Sequence, residues 1–159
     1  IINFSNYFQL VEGRGKVHTI SRYKKKFQLI DESYNANPSS VKNAINNFSN
    51  IKRSSKKKFL LLGDMLELGK KSDNYHKNLA HIINHSNIDK LFVYGKNTFK
   101  TYQKTYKVKQ GNILQNLSDF DEIFSDIINN DDYLMIKGSN ATGLNKLSKL
   151  IISGRKYAL

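Results

Sequence analysis

Short apolar runs alternate with stretches of helical periodicity along most of this 159-residue chain. Residues 8–11 and 17–20 read as strands flanking Gly13-Arg14-Gly15, and 27–30 as an apolar strand that stops at Asp31. A helix is expected over 39–48, where Val41, Ala44, Ile45 and Phe48 recur at the i, i+3, i+4, i+7 spacing of one helical face. Pro38 suits its first turn and Asn37 the cap before it. Residues 58–62 form a continuous run without alternation, as in a parallel strand covered on both faces, and end at Gly63-Asp64. Ser72 and Asp73 open a helix with an inward stripe of Tyr75, Leu79, Ile82 and Ile83. Residues 91–94 are a third covered strand, ending at Gly95. A short helix over 98–106 and a weak strand near Val108 follow. An amphipathic helix over 118–128 turns Phe120, Ile123, Phe124, Ile127 and Ile128 inward, with Ser118 as its cap. A strand over 133–136 runs into Lys137-Gly138-Ser139, and a last helix covers 143–152. Strand–helix–strand repetition at this spacing predicts an α/β fold, a mostly parallel sheet with helices on both faces.

Composition narrows the function classes. Hydrophobic residues are 39% and charged residues 25% of the chain, as in a soluble globular domain. No apolar run approaches the roughly 18–20 residues that span a bilayer, and no secretory signal is visible. Without cysteine there is neither a disulfide framework nor a Cys-based zinc site. His81 and His85 have i, i+4 spacing, but no HExxH pattern or third ligand accompanies them, so no metal site is expected. The net charge of +13 raises the alternative of a basic nucleic-acid-binding α/β module. Against it, the chain has only four arginines and no Arg-and-aromatic reading motif. Lys24-Lys25-Lys26 and Lys56-Lys57-Lys58 each precede an apolar strand, where solvated turn residues are expected. An anionic small molecule such as a nucleotide would also welcome this field.

In open α/β sheets ligands bind beyond the carboxyl ends of the strands. Three strands end there in polar clusters: Asp31-Glu32-Ser33-Tyr34-Asn35-Ala36-Asn37-Pro38, Gly63-Asp64-Met65-Leu66-Glu67-Leu68-Gly69 and Lys137-Gly138-Ser139-Asn140. Together they bring carboxylates, amides, a cation and backbone donors to one rim. Each alone has a structural reading, as a helix cap or a strand-ending turn.

These clusters resemble the MurF family of ligases, which add D-alanyl-D-alanine during murein synthesis. Asp31 to Pro38 with Ser40 fit that family's D-[DE]-S-Y-N-A-N-P-x-S. Gly63 to Gly69, followed by His76, fit G-D-M-x-E-L-G with its downstream His, and Asp132 to Ser139 fit the D-x-[VL]-L-[VI]-K-G-S ending. Gly13-Arg14-Gly15 is similar to the family's interdomain hinge. Two departures stand out: Asn140 where the family commonly has Arg, and Thr142-Gly143-Leu144 where Met is common. A sibling ligase adding a diamino acid would carry D-N-P-R, which is absent.

The resemblance implies a Rossmann-like domain, with residues 1–22 the end of a central ATPase domain plus hinge and 23–159 the C-terminal ligase domain. It implies an ATP-dependent amide ligase that is cytoplasmic and monomeric, with the fragment inactive alone. Its partners would be ATP, UDP-N-acetylmuramoyl-tripeptide and D-alanyl-D-alanine, with no nucleic acid and no membrane span. ATP and Mg²⁺ would be held mainly by the central domain, since no G-K-[ST] phosphate loop is present; Gly95-Lys96-Asn97-Thr98 lacks its glycines and context. By the same resemblance the ATP-binding set is Arg14, Asp31, Glu32, Asn35 and Asn37, with either Asp31 or Glu32 meeting the ribose and the two amides contacting nucleotide or dipeptide. Asp64 receives the dipeptide's ammonium, and Lys137 and Ser139 hold its carboxylate. His76 is a possible further contact, and no catalytic residue is assigned.

Overall fold

The computed structural model describes residues 13–52 and 56–155; the strand expected over 8–11 lies outside them. Among the described residues six strands form one sheet: β1 (Lys16–Arg22), β2 (Lys25–Glu32), β3 (Lys58–Gly63), β4 (Lys90–Tyr94), β5 (Gln110–Ile113) and β6 (Tyr133–Lys137). Among the same residues five helices cover it: α1 (Pro38–Asn50), α2 (Ser72–Asn84), α3 (Thr98–Lys104), α4 (Asp119–Ile127) and α5 (Leu144–Ile152). The strand order is β1-β2-β6-β3-β4-β5, with every pairing parallel except β1 with β2.

The pleat divides the core in two. Phe59 and Leu61 of β3, Leu134 and Ile136 of β6 and Phe92 of β4 face α4 and α5, meeting Phe120, Phe124, Leu144, Leu147 and Ile151. The alternate positions Leu60, Leu62, Met135, Leu91 and Val93 face α1 and α2, meeting Val41, Ile45, Phe48, Leu79 and Ile83. Two-sided burial is why these strands read as unbroken apolar runs.

The strand expected over 17–20 is there, as β1, and although the resemblance grouped it with a preceding domain it forms the antiparallel edge strand of this sheet. The hairpin Tyr23-Lys24 returns the chain to β2, both residues with positive φ (56° and 57°), the twist that a tight hairpin needs. The strand expected near Val108 begins two residues later; residues 107–109 form a 3-10 turn and Val108 is 74% exposed. Its successor β5 presses Gly111 against the Phe92 ring, a contact that carries no hydrophobic signal. Ser118 does not cap α4; the Asp119 carboxylate instead accepts the Gln115 and Asn116 N–H groups (3.1 and 2.9 Å). Asn37 does cap α1, in a reciprocal box with Ser40.

The lysine runs are not all solvated. Lys58 is fully buried, and its ammonium donates to Ser49 O and Ile51 O, both at 2.7 Å, closing the end of α1. Lys109 does the same beyond α2, donating to Ser86 O and Ile88 O, and Lys25 reaches Ser125 O in the last turn of α4. Cations at helix C-termini meet orphan carbonyls and the negative end of the helix dipole. Part of the positive charge is thus architectural.

Candidate functional site

The topology opens crevices at the carboxyl edge of the sheet. The connections after β2, β3 and β4 leave toward α1, α2 and α3, whereas those after β5 and β6 cross to α4 and α5 on the other face. Wherever neighbouring strands send their chains to opposite faces, a cleft remains between them.

The three polar clusters meet at this edge. The Lys137 ammonium, on a residue only 2% exposed, donates to Asn35 O and to Glu32 O (3.3 Å) and lies 3.7 Å from the Glu32 carboxylate. Burial pushes the Lys137 pKa down, partly opposed by Glu32; burial pushes Glu32 up, partly opposed by Lys137. Ser139 ties all three segments: its N–H donates to Asp64 O (3.1 Å), its hydroxyl donates to Ala36 O (3.3 Å), and that hydroxyl accepts the Leu66 N–H (3.1 Å). The polar atoms of Lys137 and Ser139, expected to grip a ligand carboxylate, are therefore engaged with the loops themselves.

Asp64 has a comparable commitment. Its Oδ1 accepts the N–H groups of Asn97 (3.0 Å) and Thr98 (2.8 Å), capping α3 from another strand. Its Oδ2 has longer contacts, 3.2 and 3.3 Å, to the backbone and side-chain nitrogens of Asn97. Gly95 makes this possible: its φ is 133°, and a Cβ there would come within 2.4 Å of Oδ1. The stretch Gly95–Thr98, which superficially resembles a phosphate loop, thus already gives its Asn97 and Thr98 N–H groups to a carboxylate. His76 is fully buried and holds the same loop: its Nε2 accepts the Met65 N–H (3.1 Å) while Nδ1 donates to Ser72 O (2.8 Å).

Two clefts flank this knot. The smaller, about 280 Å³, is lined by Gly13, Asp31, Ser33, Tyr34, Asn140, Asn145 and Lys149. Asp31 is buried, with Oδ1 accepting from the Ser33 hydroxyl and N–H. Arg14 stacks its guanidinium 4.7 Å from the centre of the exposed Tyr34 ring. The Gly13-Arg14-Gly15 stretch is fastened here: Gly15 N–H donates to Asp31 O (2.7 Å) and Tyr34 N–H to Gly13 O (3.1 Å). Both glycines have positive φ, and a Cβ on either would press within 2.9 Å of Tyr34 or the Glu32 carboxylate. Asn35 and Asn37 are exposed on the same loop. The larger cleft, about 670 Å³, runs along the ends of β3, β4 and β5 and is bordered by Asp64, Leu66, Tyr94, Lys96, Phe99 and Thr142 among others. Sequence reasoning missed Tyr34, Lys96, Phe99, Asn145 and Lys149. Tyr34 lay inside the Asp31–Pro38 cluster and Lys96 inside the set-aside Gly95–Thr98 stretch; the other three had no local signal. Among the described residues no three His, Cys, Asp or Glu side chains converge on a metal position, and no helix is long and apolar enough to cross a membrane.

A parallel α/β sheet whose polar strand tips are tied together between two clefts defines a small-molecule-binding domain of the doubly wound class. The chain belongs to the Mur ligase family: residues 14–140 match the family described as "Mur ligase, glutamate ligase domain", the C-terminal domain of these enzymes. Its relatives include the UDP-N-acetylmuramoyl-tripeptide–D-alanyl-D-alanine ligase of Bacillus subtilis strain 168, 43% identical over 68 residues, 43% of this chain and 15% of that protein. The ligase of the same name from Rickettsia prowazekii is 27% identical over 138 residues, 87% of this chain and 29% of its own length. Among solved structures, MurF from Thermotoga maritima in complex with ADP superposes with a TM-score of 0.73 at 20% identity, over 92% of this chain and 32% of that one. A MurF crystal structure from Acinetobacter baumannii gives 0.74 at 21%, over 91% and 31%. These superpositions establish the α/β fold. The chain spans less than a third of each of these relatives.

Proposed function

We propose that this chain is the closing domain of an ATP-dependent ligase that joins D-alanyl-D-alanine to UDP-N-acetylmuramoyl-tripeptide in the cytoplasm, and that the remaining machinery lies in the rest of a longer protein. The observation that carries the reading is the convergence of the three strand tips through Lys137 and Ser139, which makes one continuous rim out of three separate motifs. The activity of the Bacillus subtilis and Rickettsia prowazekii relatives and the ADP in the Thermotoga maritima structure supply the chemistry of that reading.

The smaller cleft suits a nucleoside. A buried carboxylate, Asp31, can accept from ribose hydroxyls, and Tyr34 at its rim offers a flat surface for a base, with Arg14 stacked on that ring from the neighbouring cleft beside Glu32 and Phe48. Asn140 replaces the family's Arg, and Lys149 in the same cleft supplies a cation there. Asn35 is the exposed amide of the loop; Glu32 and Asn37 serve mainly to shape it, through Lys137 and as the α1 cap. Lys137 and Ser139 act as the frame of the acceptor side, and His76 as a strut beneath it. The described residues do not fit a resident Mg²⁺, so any such ion would be held by nucleotide phosphates and another domain. ATP converts a carboxylate to an acyl phosphate for attack by the incoming amine; this domain's part is to bind, orient and exclude water.

The test is direct. The longer protein containing this chain, given UDP-N-acetylmuramoyl-tripeptide, D-alanyl-D-alanine and ATP, is expected to release ADP and phosphate and form the pentapeptide product, read by mass spectrometry. Absence of product together with salt-steep DNA or RNA binding would replace this reading with the nucleic-acid one.

A further inference from the structure

We propose that the exposed end of α2 is a chelating site for a borderline divalent metal ion, Cu²⁺, Ni²⁺ or Zn²⁺, held by His81 and His85 with its other positions filled by water or by a donor from another molecule. Neither histidine lines either cleft, so this site is separate from the one described above and does not depend on the ligase reading. Their spacing alone predicts no metal, for want of a third ligand in the sequence. The folded geometry shows how two ligands suffice for a surface chelate.

His81 stands in the last turn of α2 and His85 is its C-cap, and both are exposed. Their ring centres lie 4.4 Å apart, with the planes tilted by 44°. With metal–nitrogen bonds of about 2.0–2.1 Å, two imidazoles bound at neighbouring positions of one ion have ring centres roughly 4.5–5 Å apart, so the pair stands close to a chelating arrangement. The tautomer of one ring is set as well. His85 Nδ1 lies 2.8 Å from His81 O, and a carbonyl only accepts, so Nδ1 carries the proton and the neutral ring keeps its lone pair on Nε2. Imidazoles that ligate metals commonly have their second nitrogen fixed to a carbonyl in this way, which orients the ring and strengthens the donor. The platform beneath is tied down. Asn84 accepts the Tyr106 N–H (2.8 Å) and donates to Lys104 O (3.1 Å), joining the end of α2 to the turn after α3, and the Tyr106 ring centre lies 6.5 Å from that of His85.

The donors select the ion. Two neutral imidazoles suit Cu²⁺ best, then Ni²⁺ and Zn²⁺, whereas Mg²⁺ and Ca²⁺ require oxygen ligands that neither side chain offers. A cation here also meets the negative pole of the α2 dipole, at the end where that helix presents its last carbonyls. Lys77, one turn before His81, and Lys104 and Lys107, on either side of Tyr106, oppose it with like charge. All three are exposed, so solvent and salt weaken that opposition without removing it. The balance is a reversible site of moderate affinity.

Calorimetric titration of the longer protein with CuCl₂ and NiCl₂, in a buffer that does not chelate, tests this. Wild type is expected to bind one ion that is lost from both His81→Asn and His85→Asn, each of which should weaken that site about a hundredfold by removing one arm of a chelate. Both side chains are exposed, and the variants are expected to keep the wild-type thermal midpoint in metal-free buffer, so that a lost site is not a lost fold. His81→Gln and His85→Gln repeat the test should either Asn variant fold poorly. Lys107→Ala, which removes a neighbouring charge and no ligand, should bind at least as tightly as wild type, and Mg²⁺ in large excess should not displace the ion. In electron paramagnetic resonance, the Cu²⁺ signal lost on going from wild type to His85→Asn should carry the coupling of two imidazole nitrogens. Equal binding in wild type and in variants at both positions overturns the proposal. A loss confined to one position overturns it too, because it reduces the site to a single adventitious imidazole.

Discussion

Lys58 and Lys137 are both buried at the ends of strands and both donate to backbone carbonyls, yet they sit at opposite edges of the sheet and do different work. Lys58 opens β3 and seals the end of α1, donating twice at 2.7 Å to the carbonyls of a helix terminus. Lys137 closes β6 and joins two loops across a ligand rim, with a half-buried glutamate as its counter-ion. Burial opposes the charge of Lys137 and of Glu32 alike, so that pair is held at some cost to stability, in the place where ligands come. The amino edge of the sheet invests its buried charge in folding; the carboxyl edge invests it in geometry.

That contrast can be broken in three ways. The largest effect on stability is expected from Lys58→Met, about 2–3 kcal/mol in urea unfolding, because two buried carbonyls lose their donors. Substrate KM values of the longer ligase should stay unchanged. A comparable rise in KM would mean that the two edges are not functionally distinct. Lys137→Met should cost less stability, about 1–2 kcal/mol, since removing it also relieves a desolvated charge, but should raise the KM for nucleotide or dipeptide several-fold. Stability loss with wild-type kinetics would make Lys137 a second Lys58. The smallest effect is a pH slope. A carboxyl whose folded-state pKa is raised above its ordinary 4.5, as burial raises Glu32, stabilises the fold below that ordinary value. The contribution is lost as pH rises through the raised folded value. Wild type should therefore lose a fraction of a kcal/mol, well under about 1 given its partial exposure, from pH 4.5 upward. Glu32→Gln should flatten this slope, and an unchanged slope would assign it to another group.

The sheet was legible because two-sided burial writes itself as unbroken apolar runs: 58–62, 91–94 and 133–136 are strands within a residue or so of their expected ends. The edges were less so. β5 packs through Gly111, which carries no hydrophobic signature, and β1 pairs by backbone bonds that any sequence can make. Within the site, the motifs marked the right three loops but not the fate of their side chains. Asp64 was visible as a strand-end acid; that α3, beginning 34 residues later, needs it as a cap depends on tertiary proximity. Lys137 was visible as a cation at a rim, and nothing local tells that its ammonium turns back onto Glu32 and Asn35. Tyr34 and Lys96 fell inside recognised stretches, yet their exposure and neighbours are properties of the folded surface alone.

The fastening of Gly13 and Gly15 to the end of β2 has one more consequence. Residues 13–15 are bonded at Asp31 and Tyr34 to the very loop that borders the smaller cleft. A push on that loop from an occupied cleft reaches them over two amide contacts, without crossing the hydrophobic layers.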